Sequence, residues 1–466
     1  MVGIIETTEP VAAGGVPTLP LADSAARRNP TLAQGVTWLI LTGLLAIGLA
    51  VHPSITAILA IGAFQVAFLA CAIWKLLLVH ASNRPLPPDP VPEDWPVYTV
   101  LAALHDEAAV TPQLIRRLSR LDYPQDRLEG FLVLEAHDSA TIEAAYATPR
   151  PDWLKILVCP PGMPRTKPRA LNIALSRASG DLVTVYDAED EPDAGQLREA
   201  AARFAADATG KLACLQAPLR IRTARSGSQS PFLDRQFAVE YAAQFEVTLP
   251  GMARLGLPFP LGGTSNHFRV DVLRAIGGWD AHNVTEDADL GFRLWNHGWR
   301  LDMISSPTLE APPGPLEYWL PQRVRWQKGY MQTWGVHTRR PWQLGLRGCV
   351  AIVMTLGVGL AASAVHAMAA AWFTAAVLVA IVARITPATP LMALGVMALG
   401  GSAALLCGWI GSRRAGFDYR ITDMVQSPAY WGLTSLSLAH AVWRLIREPF
   451  TWDKTPHRPD SAGTAH

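Results

Sequence analysis

Two long apolar stretches, one toward each end, constrain this chain more than any other feature. The first, Val36 to Leu78, is broken only by His52-Pro53; the second, Cys349 to Ile410, is broken near Arg384 to Pro390. A third stretch, Met424 to Leu445, is less apolar. About 20 mostly apolar residues cross a bilayer. The first block is therefore expected to form two membrane helices over residues 32–80, with the tip at His52-Pro53. Residues 1–31 are expected to be a disordered tail. Their polar, Pro- and Gly-containing make-up, and a second span following at once, argue against a cleaved leader.

Basic residues near the spans set the expected orientation. Arg27 and Arg28 precede the first helix and Lys75 ends the second, so both ends of the hairpin, and the chain after it, should face the cytoplasm. For residues 346–447, four spans (about 349–366, 368–384, 391–410 and 424–445) keep Arg384, Arg444, Arg447, Lys454 and Arg458 inside, with Arg413, Arg414 and Arg420 outside. Merging the first two spans would put the five outside instead of the three, so four spans are favoured.

Between the blocks, residues 81–310 read as a soluble α/β domain. Strand-like runs at Tyr98–Leu104, Phe131–Leu134, Leu154–Val158 and Leu182–Tyr186 alternate with helix-like segments at Thr111–Leu121, Arg169–Arg177 and Ala194–Ala205. Such alternation predicts a mostly parallel sheet covered on both faces by helices. Ligands in such sheets bind beyond the carboxyl ends of the strands. Acidic clusters stand at three of those ends: His105-Asp106-Glu107, Glu135-Ala136-His137-Asp138, and the run from Asp187 to Asp193 with five acids in seven residues. Mg²⁺ or Mn²⁺ takes such oxygen ligands together with substrate phosphates. Asp187, Glu189 and Asp190 are the candidate ligands. The competing reading is helix capping, which is expected of Asp193 ahead of the helix from Ala194.

The net charge of +1 gives no electrostatic case for a nucleic-acid partner. The five cysteines form no CxxC pair and read as small buried apolar residues.

Further motifs follow in order: Thr166-Lys167-Pro168-Arg169-Ala170-Leu171-Asn172, Leu261-Gly262-Gly263-Thr264-Ser265-Asn266, Thr285-Glu286-Asp287, and Gln322-Arg323-Val324-Arg325-Trp326. Each is weak alone. In this order, within one insert flanked by apolar blocks, the chain resembles the family-2 inverting glycosyltransferases with a GT-A fold. The resemblance is to their membrane-integrated branch, which includes cellulose-, chitin- and hyaluronan-synthase-like enzymes. It implies an α/β GT-A domain facing the cytoplasm, inserted between transmembrane helices of a bacterial inner membrane.

The resemblance also implies roles. Asp138, with Asp106 and Glu107 nearby, would contact the nucleotide, and Lys167 would lie beside it. Asp187-Ala188-Glu189 stands where the family has its DxD motif; the Glu leaves open whether Glu189 or Asp190 is the second ligand. Gly263 and Thr264 would belong to the acceptor loop. Asp287, flanked by Glu286, would be the general base, although Thr285-Glu286-Asp287 is also a plausible helix start. Arg325 would bind phosphate oxygens; Gln322 and Trp326 would face the acceptor sugar. That motif lies in a region, 311–345, expected to form interfacial helices, since Trp319, Trp326 and Trp334 cluster there. The tail, 448–466, resembles the gating segments of these synthases, with Trp452, Lys454 and Thr455 closing over the donor.

The expected function is a hexosyltransferase using a UDP-sugar, first read as a processive β-glycan synthase with a polysaccharide acceptor. The alternatives are single-sugar transfer to a lipid-linked acceptor among the membrane lipids, and an inactive scaffold on the same fold.

Overall fold

The computed structural model describes residues 15–83, 90–222, 231–384, 391–451 and Pro459. Ten strands lie in the middle of the chain: β1 (Tyr98–Leu104), β2 (Leu128–Glu135), β3 (Leu154–Cys159), β4 (Leu182–Tyr186), β5 (Glu191–Pro192), β6 (Leu212–Gln216), β7 (Leu219–Ile221), β8 (Asn266–Arg269), β9 (Arg300–Met303) and β10 (Thr308–Glu310). Seven form one sheet in the order β3-β2-β1-β4-β8-β6-β9, and β5-β10-β7 form a second, small one. Strands β1 to β4 are mutually parallel. β8 runs antiparallel to both β4 and β6, so the sheet is mixed.

Side chains alternate between two cores, as the period of a strand requires. Leu101, Phe131, Val133, Val183 and Val185 face one core. Val100, Ala102, Leu132 and Leu134 face the other. Burial on both faces explains why β1 and β4 read as unbroken apolar runs.

Helices Leu32–Val51 and Pro53–Ser82 form the expected hairpin, turning at His52. Together with Pro341–His366 they are long and apolar enough to cross a membrane. Tight packing joins the second helix to the α/β domain: a β-carbon at Gly251 would lie 2.7 Å from the Leu78 carbonyl oxygen.

Three expectations need correcting. Residues 15–31 are not a loose tail. The Asp280 carboxylate accepts hydrogen bonds from Ser24 Oγ (2.8 Å) and the Ala25 amide (2.6 Å). Arg339 donates to the carbonyls of Ala22, Ser24 and Arg27.

Second, the break expected at 366–368 is absent. After a kink at Gly345, whose φ of 61° is non-helical, the chain runs on helically to Ile352, through a π-turn at Val353–Gly357 and along Val358–Ala383, ending at Arg384 in a left-handed conformation. An unbroken run of small apolar residues leaves no turn signal there, and none forms.

Third, the helix Ile421–Arg447, expected as a membrane span, carries polar anchors: it packs along Val358–Ala383 and Leu316–His337 and also meets Pro231–Ala243 of the α/β domain. Near its start, Asp423 pairs with Arg235. In its middle, the Tyr430 hydroxyl donates to Glu240 (2.6 Å) and accepts from Arg323 (2.9 Å). Just beyond its end, Lys328 Nζ donates to the Glu448 carbonyl (3.1 Å). A buried polar face (Asp423, Ser427, Tyr430, Ser437) makes this possible, while Ile421, Val425, Leu436, Val442, Trp443 and Ile446 remain exposed. One of the basic residues placed outside in the four-span count, Arg414, lies against the domain. Arg414, ending helix Leu391–Ala415, donates to the Glu246 carbonyl (2.5 Å) and to Ser82 Oγ (3.0 Å).

Candidate active site

Acids gather where β1, β2 and β4 end, as their placement in the sequence requires. After β1, Asp106 takes a positive φ of 52°, and its amide donates to Asp138 Oδ2 (2.6 Å). Asp138 also caps the helix Ser139–Ala147, accepting from the Thr141 amide (3.2 Å). Burial works to raise the Asp138 carboxyl, but hydrogen bonds from Thr141 and Asp106 outweigh it and hold it below the usual range. Glu107 is buried, its amide donating to Thr141 Oγ1 (2.9 Å). Ligand atoms of His105, Asp106 and Asp138 lie within 4.8 Å of one another, beside the position expected for the nucleotide.

At the end of β4, Asp187 is partly exposed and forms an ion pair with Lys167 Nζ. Lys167 also donates to the Gly263 carbonyl (2.9 Å), tying the first acid of the run to the glycine loop. Burial would lower the Lys167 pKa, yet the Asp187 and Glu286 carboxylates raise it instead, so the ammonium stays charged.

Asp190 turns inward. Its Oδ2 accepts from the Asp187 amide (2.7 Å) and from Thr264 Oγ1. Its Oδ1 is buried with no hydrogen-bond partner. Burial first, then the Asp187 and Glu189 charges, push its carboxyl well up. A divalent cation would relieve that arrangement, and the donor set, all carboxylate oxygen, suits Mg²⁺ or Mn²⁺. Asp193 accepts from the Gly195 amide (2.9 Å) in a short turn two residues ahead of the actual cap, Gly195, so it does not cap the helix Gln196–Ala205 as expected.

Helix Glu286–Asn296 opens with the second acidic pair. Thr285 occupies the capping position but makes no side-chain cap bond. It packs instead against Gly329 of the helix Leu316–His337, where a β-carbon would lie 2.3 Å from Thr285 Oγ1. Asp287 Oδ1 accepts from the Ala288 amide (2.7 Å). Burial raises the Asp287 carboxyl, with the Ala288 amide, Lys167 and Arg325 opposing. Glu286 is pushed up to about 7, by burial and then by Asp287. The loop carrying Gly263 and Thr264 is held by Gln216, whose Oε1 accepts from the Gly262 amide (2.8 Å) and Asn266 Nδ2 (2.6 Å).

The Gln322–Trp326 motif splits between structural and site-facing roles. Arg323 is buried, makes a two-pronged pair with Glu240 (2.7 and 2.6 Å), and sits over the rings of Trp326, Trp319, Phe237 and Tyr430. Arg325 reaches the Val284 carbonyl at 3.5 Å, just ahead of the acidic pair. Trp326 is partly exposed and stacks on Phe237, with ring centroids 5.9 Å apart. Gln322 is likewise partly exposed. Trp452, Lys454 and Thr455 lie outside the described residues.

Sequence reasoning missed several neighbours. Glu310 is buried, and its carboxyl is raised by burial and by Asp190, Glu189 and Asp187. The β5–β10 register pairs Leu309 with Glu191, which brings β10 to the end of the acidic run, where its Glu310 feels the Asp190 charge. Arg117 and Arg222 each donate to the Glu189 carbonyl at 3.0 Å. Tyr330 is partly buried, its pKa raised by desolvation and then by the Asp287 carboxylate.

A mixed sheet with acids at its central strand ends, faced by a second acidic pair on a helix start, is a GT-A-like arrangement. Residues 182–406, just under half of the chain, match the family described as Glycosyl transferase family group 2. The chain is 27% identical over 282 residues to the beta-monoglucosyldiacylglycerol synthase of Synechocystis sp., covering 57% of this chain and 56% of that protein. It is also 27% identical over 287 residues to the UDP-forming cellulose synthase catalytic subunit of Komagataeibacter sucrofermentans, covering 59% and 36%. These matches span little more than half the length of the first protein and about a third of the second. Among solved structures, a Pyrobaculum calidifontis mannosyltransferase in complex with GDP-Man and Mn²⁺ superposes with a TM-score of 0.56 at 19% identity, over 83% of this chain and 97% of that one. That likeness concerns the fold.

Proposed function

We propose that this chain is a membrane-embedded inverting hexosyltransferase that moves one sugar from a UDP-sugar to a lipid acceptor arriving from the bilayer. The observation that carries the acceptor class is the helix Ile421–Arg447. It hydrogen-bonds to the α/β domain near its start, in its middle and beyond its end. Two apolar pairs then remain to cross the membrane: 32–51 with 53–82, and 341–383 with 391–415. Arg27, Arg28, Arg413, Arg414 and Arg420 fall on the domain side, and Arg384 is left on the other, in keeping with a cytoplasmic domain. Four crossings suit an acceptor delivered by the lipid better than a conduit for a long polymer.

In this reading Asp138 and its neighbours hold the nucleotide. Mg²⁺ or Mn²⁺ on Asp187, Glu189 and Asp190 would supply charge to neutralise the leaving diphosphate. Lys167 holds Asp187 in place, and Arg325 offers charge-assisted hydrogen bonds to phosphate oxygens. Asp287 accepts the proton of the acceptor hydroxyl as that oxygen bonds to the anomeric carbon and the bond to the diphosphate breaks on the opposite face. Its raised pKa brings it toward the operating pH, where a general base works best. Gly263 and Thr264 line the acceptor side with Gln322 and Trp326.

A processive glycan synthase is the second reading, favoured by the Gln322–Trp326 motif and by similarity to the cellulose synthase subunit. The two separate in one assay. Purified chain is given a panel of labelled UDP- and GDP-sugars with Mn²⁺, diacylglycerol and polyprenyl phosphate. Release of UDP with label moving into organic solvent supports lipid transfer. Long, glycosidase-sensitive polymer in the aqueous phase defeats it.

A further inference from the structure

The loop Asp280–Thr285 delivers Glu286 and Asp287, and it is held mainly through side chains from distant parts of the chain. Asn283 Nδ2 donates to Thr333 Oγ1 at 3.0 Å. The Val284 amide donates to Gln332 Oε1 at 3.1 Å. Gln332 uses its other end as well: Nε2 donates to the Pro449 carbonyl at 3.0 Å. An amide needs the oxygen and a carbonyl needs the NH₂ group, so these two partners fix the side chain's orientation.

The segment beyond the last helix is seated on the same surface. Lys328, one turn before Gln332 and fully buried, donates to the carbonyls of Glu448 (3.1 Å) and Thr451 (2.7 Å). The Phe450 ring meets His282 of the loop nearly edge-on, with centroids 5.4 Å apart. Two contacts thus join Pro449-Phe450 to a loop about 165 residues earlier, and one of them runs through a single side chain.

We propose that Gln332 is a positioning residue that locks the loop carrying Asp287 to the segment Glu448–Thr451, so that the base is aligned only when this segment is seated. The proposal rests on the reading of Asp287 as general base. Its geometry is selective: Gln332 touches the amide two residues before Glu286 and no atom of the acids themselves. A shift of the segment at 449 therefore acts first on the loop that carries the base, while Asp138, Asp187 and Asp190 keep their own supports at the strand ends.

The variant Gln332→Glu keeps an oxygen for the Val284 amide but sets a second oxygen against the Pro449 carbonyl. Phe450→Ala removes the other contact. With full-length chain, UDP release from UDP-glucose and UDP-N-acetylglucosamine is followed as a function of donor concentration. Each variant should lower kcat about tenfold, within the range expected when a reacting group is misplaced by a fraction of an ångström. Donor KM should stay within about twofold, and the double variant should fall little below the singles because both act on one docking event. Peptides covering 280–285 should also exchange amide hydrogens faster in Phe450→Ala, a readout that survives if turnover becomes too slow to measure. Unchanged kcat, an effect confined to KM, fully multiplicative losses, or unchanged exchange would each overturn the proposal. Asp287→Asn run alongside separates the two ideas: turnover surviving there removes the base reading itself, whereas an inert Asp287→Asn beside a fully active Gln332→Glu removes only the lock.

Discussion

A β-carbon on Gly263 would lie 3.3 Å from Oδ2 of Asp287, so the glycine loop and the acid on the facing helix come within van der Waals reach. The space over Gly263 is where an acceptor hydroxyl would have to enter to reach Asp287. Gly263→Ala is expected to lower kcat about tenfold while leaving the melting temperature unchanged. Asp287→Asn should remove about 10²–10⁴ in kcat and leave donor binding by calorimetry intact. Undiminished turnover in Asp287→Asn would exclude it as the base.

Glu286, raised to about 7, sits next to a second raised acid, and the two titrate as a pair. The kcat/KM profile should therefore fall on its acid side near neutral pH. Replacing Glu286 with Gln removes a neighbouring negative charge from Asp287, which lowers the Asp287 pKa and moves the acid limb to lower pH. A limb that stays put or moves upward would contradict this. Stability runs by the same sign. A carboxyl whose folded pKa is raised is fully accommodated below its unfolded value near 4.5 and loses stability as pH climbs through about 7.

The cation site predicts a binding signature independent of turnover. Mn²⁺ together with UDP should raise the melting temperature, because a ligand that binds only the folded state stabilises it. EDTA should reverse the rise, and Asp187→Ala should abolish it. A full shift in Asp187→Ala would move the site elsewhere.

Gly329 makes the close crossing over Thr285 possible. Gly329→Ala sets a methyl 2.3 Å from Thr285 Oγ1 and 2.7 Å from its Cβ. Overpacking of this kind costs about 1–3 kcal/mol. Denaturant melts should show that loss, with partial recovery when Thr285→Ala is added, since the β-carbon contact persists.

Arg323 is the motif arginine that holds the architecture. Arg323→Met should destabilise by about 2 kcal/mol, the scale of charge-assisted hydrogen bonds lost, and Arg323→Lys should recover only part. The Glu240 side chain stays 40% exposed, which spares the variant the larger penalty of a stranded buried charge.

How much of this was legible in the sequence varied with the range of the interactions involved. β1 and β4 begin and end where their apolar runs do, because both faces of each strand are buried. The acids after them stand at the strand ends, where their sequence positions put them. What escaped notice depends on contacts between distant residues. Glu310 meets Asp190 only because β10 pairs with β5 across more than a hundred residues. Arg117 and Arg222, over a hundred residues apart, both donate to the Glu189 carbonyl. The helix Ile421–Arg447 carries enough apolar surface to suggest a crossing. Asp423 and Tyr430 keep it on the domain through Arg235 and Glu240, partners some 190 residues away.

The seating of Glu448–Thr451 beside His282 and Gln332 also bears on the order in which the protein is made. The acids at 286 and 287 leave the ribosome some 160 residues before the segment that closes over their supporting loop. A chain clipped before Glu448 would keep every motif as far as Gln322–Trp326 and, on this reading, still lack an ordered base.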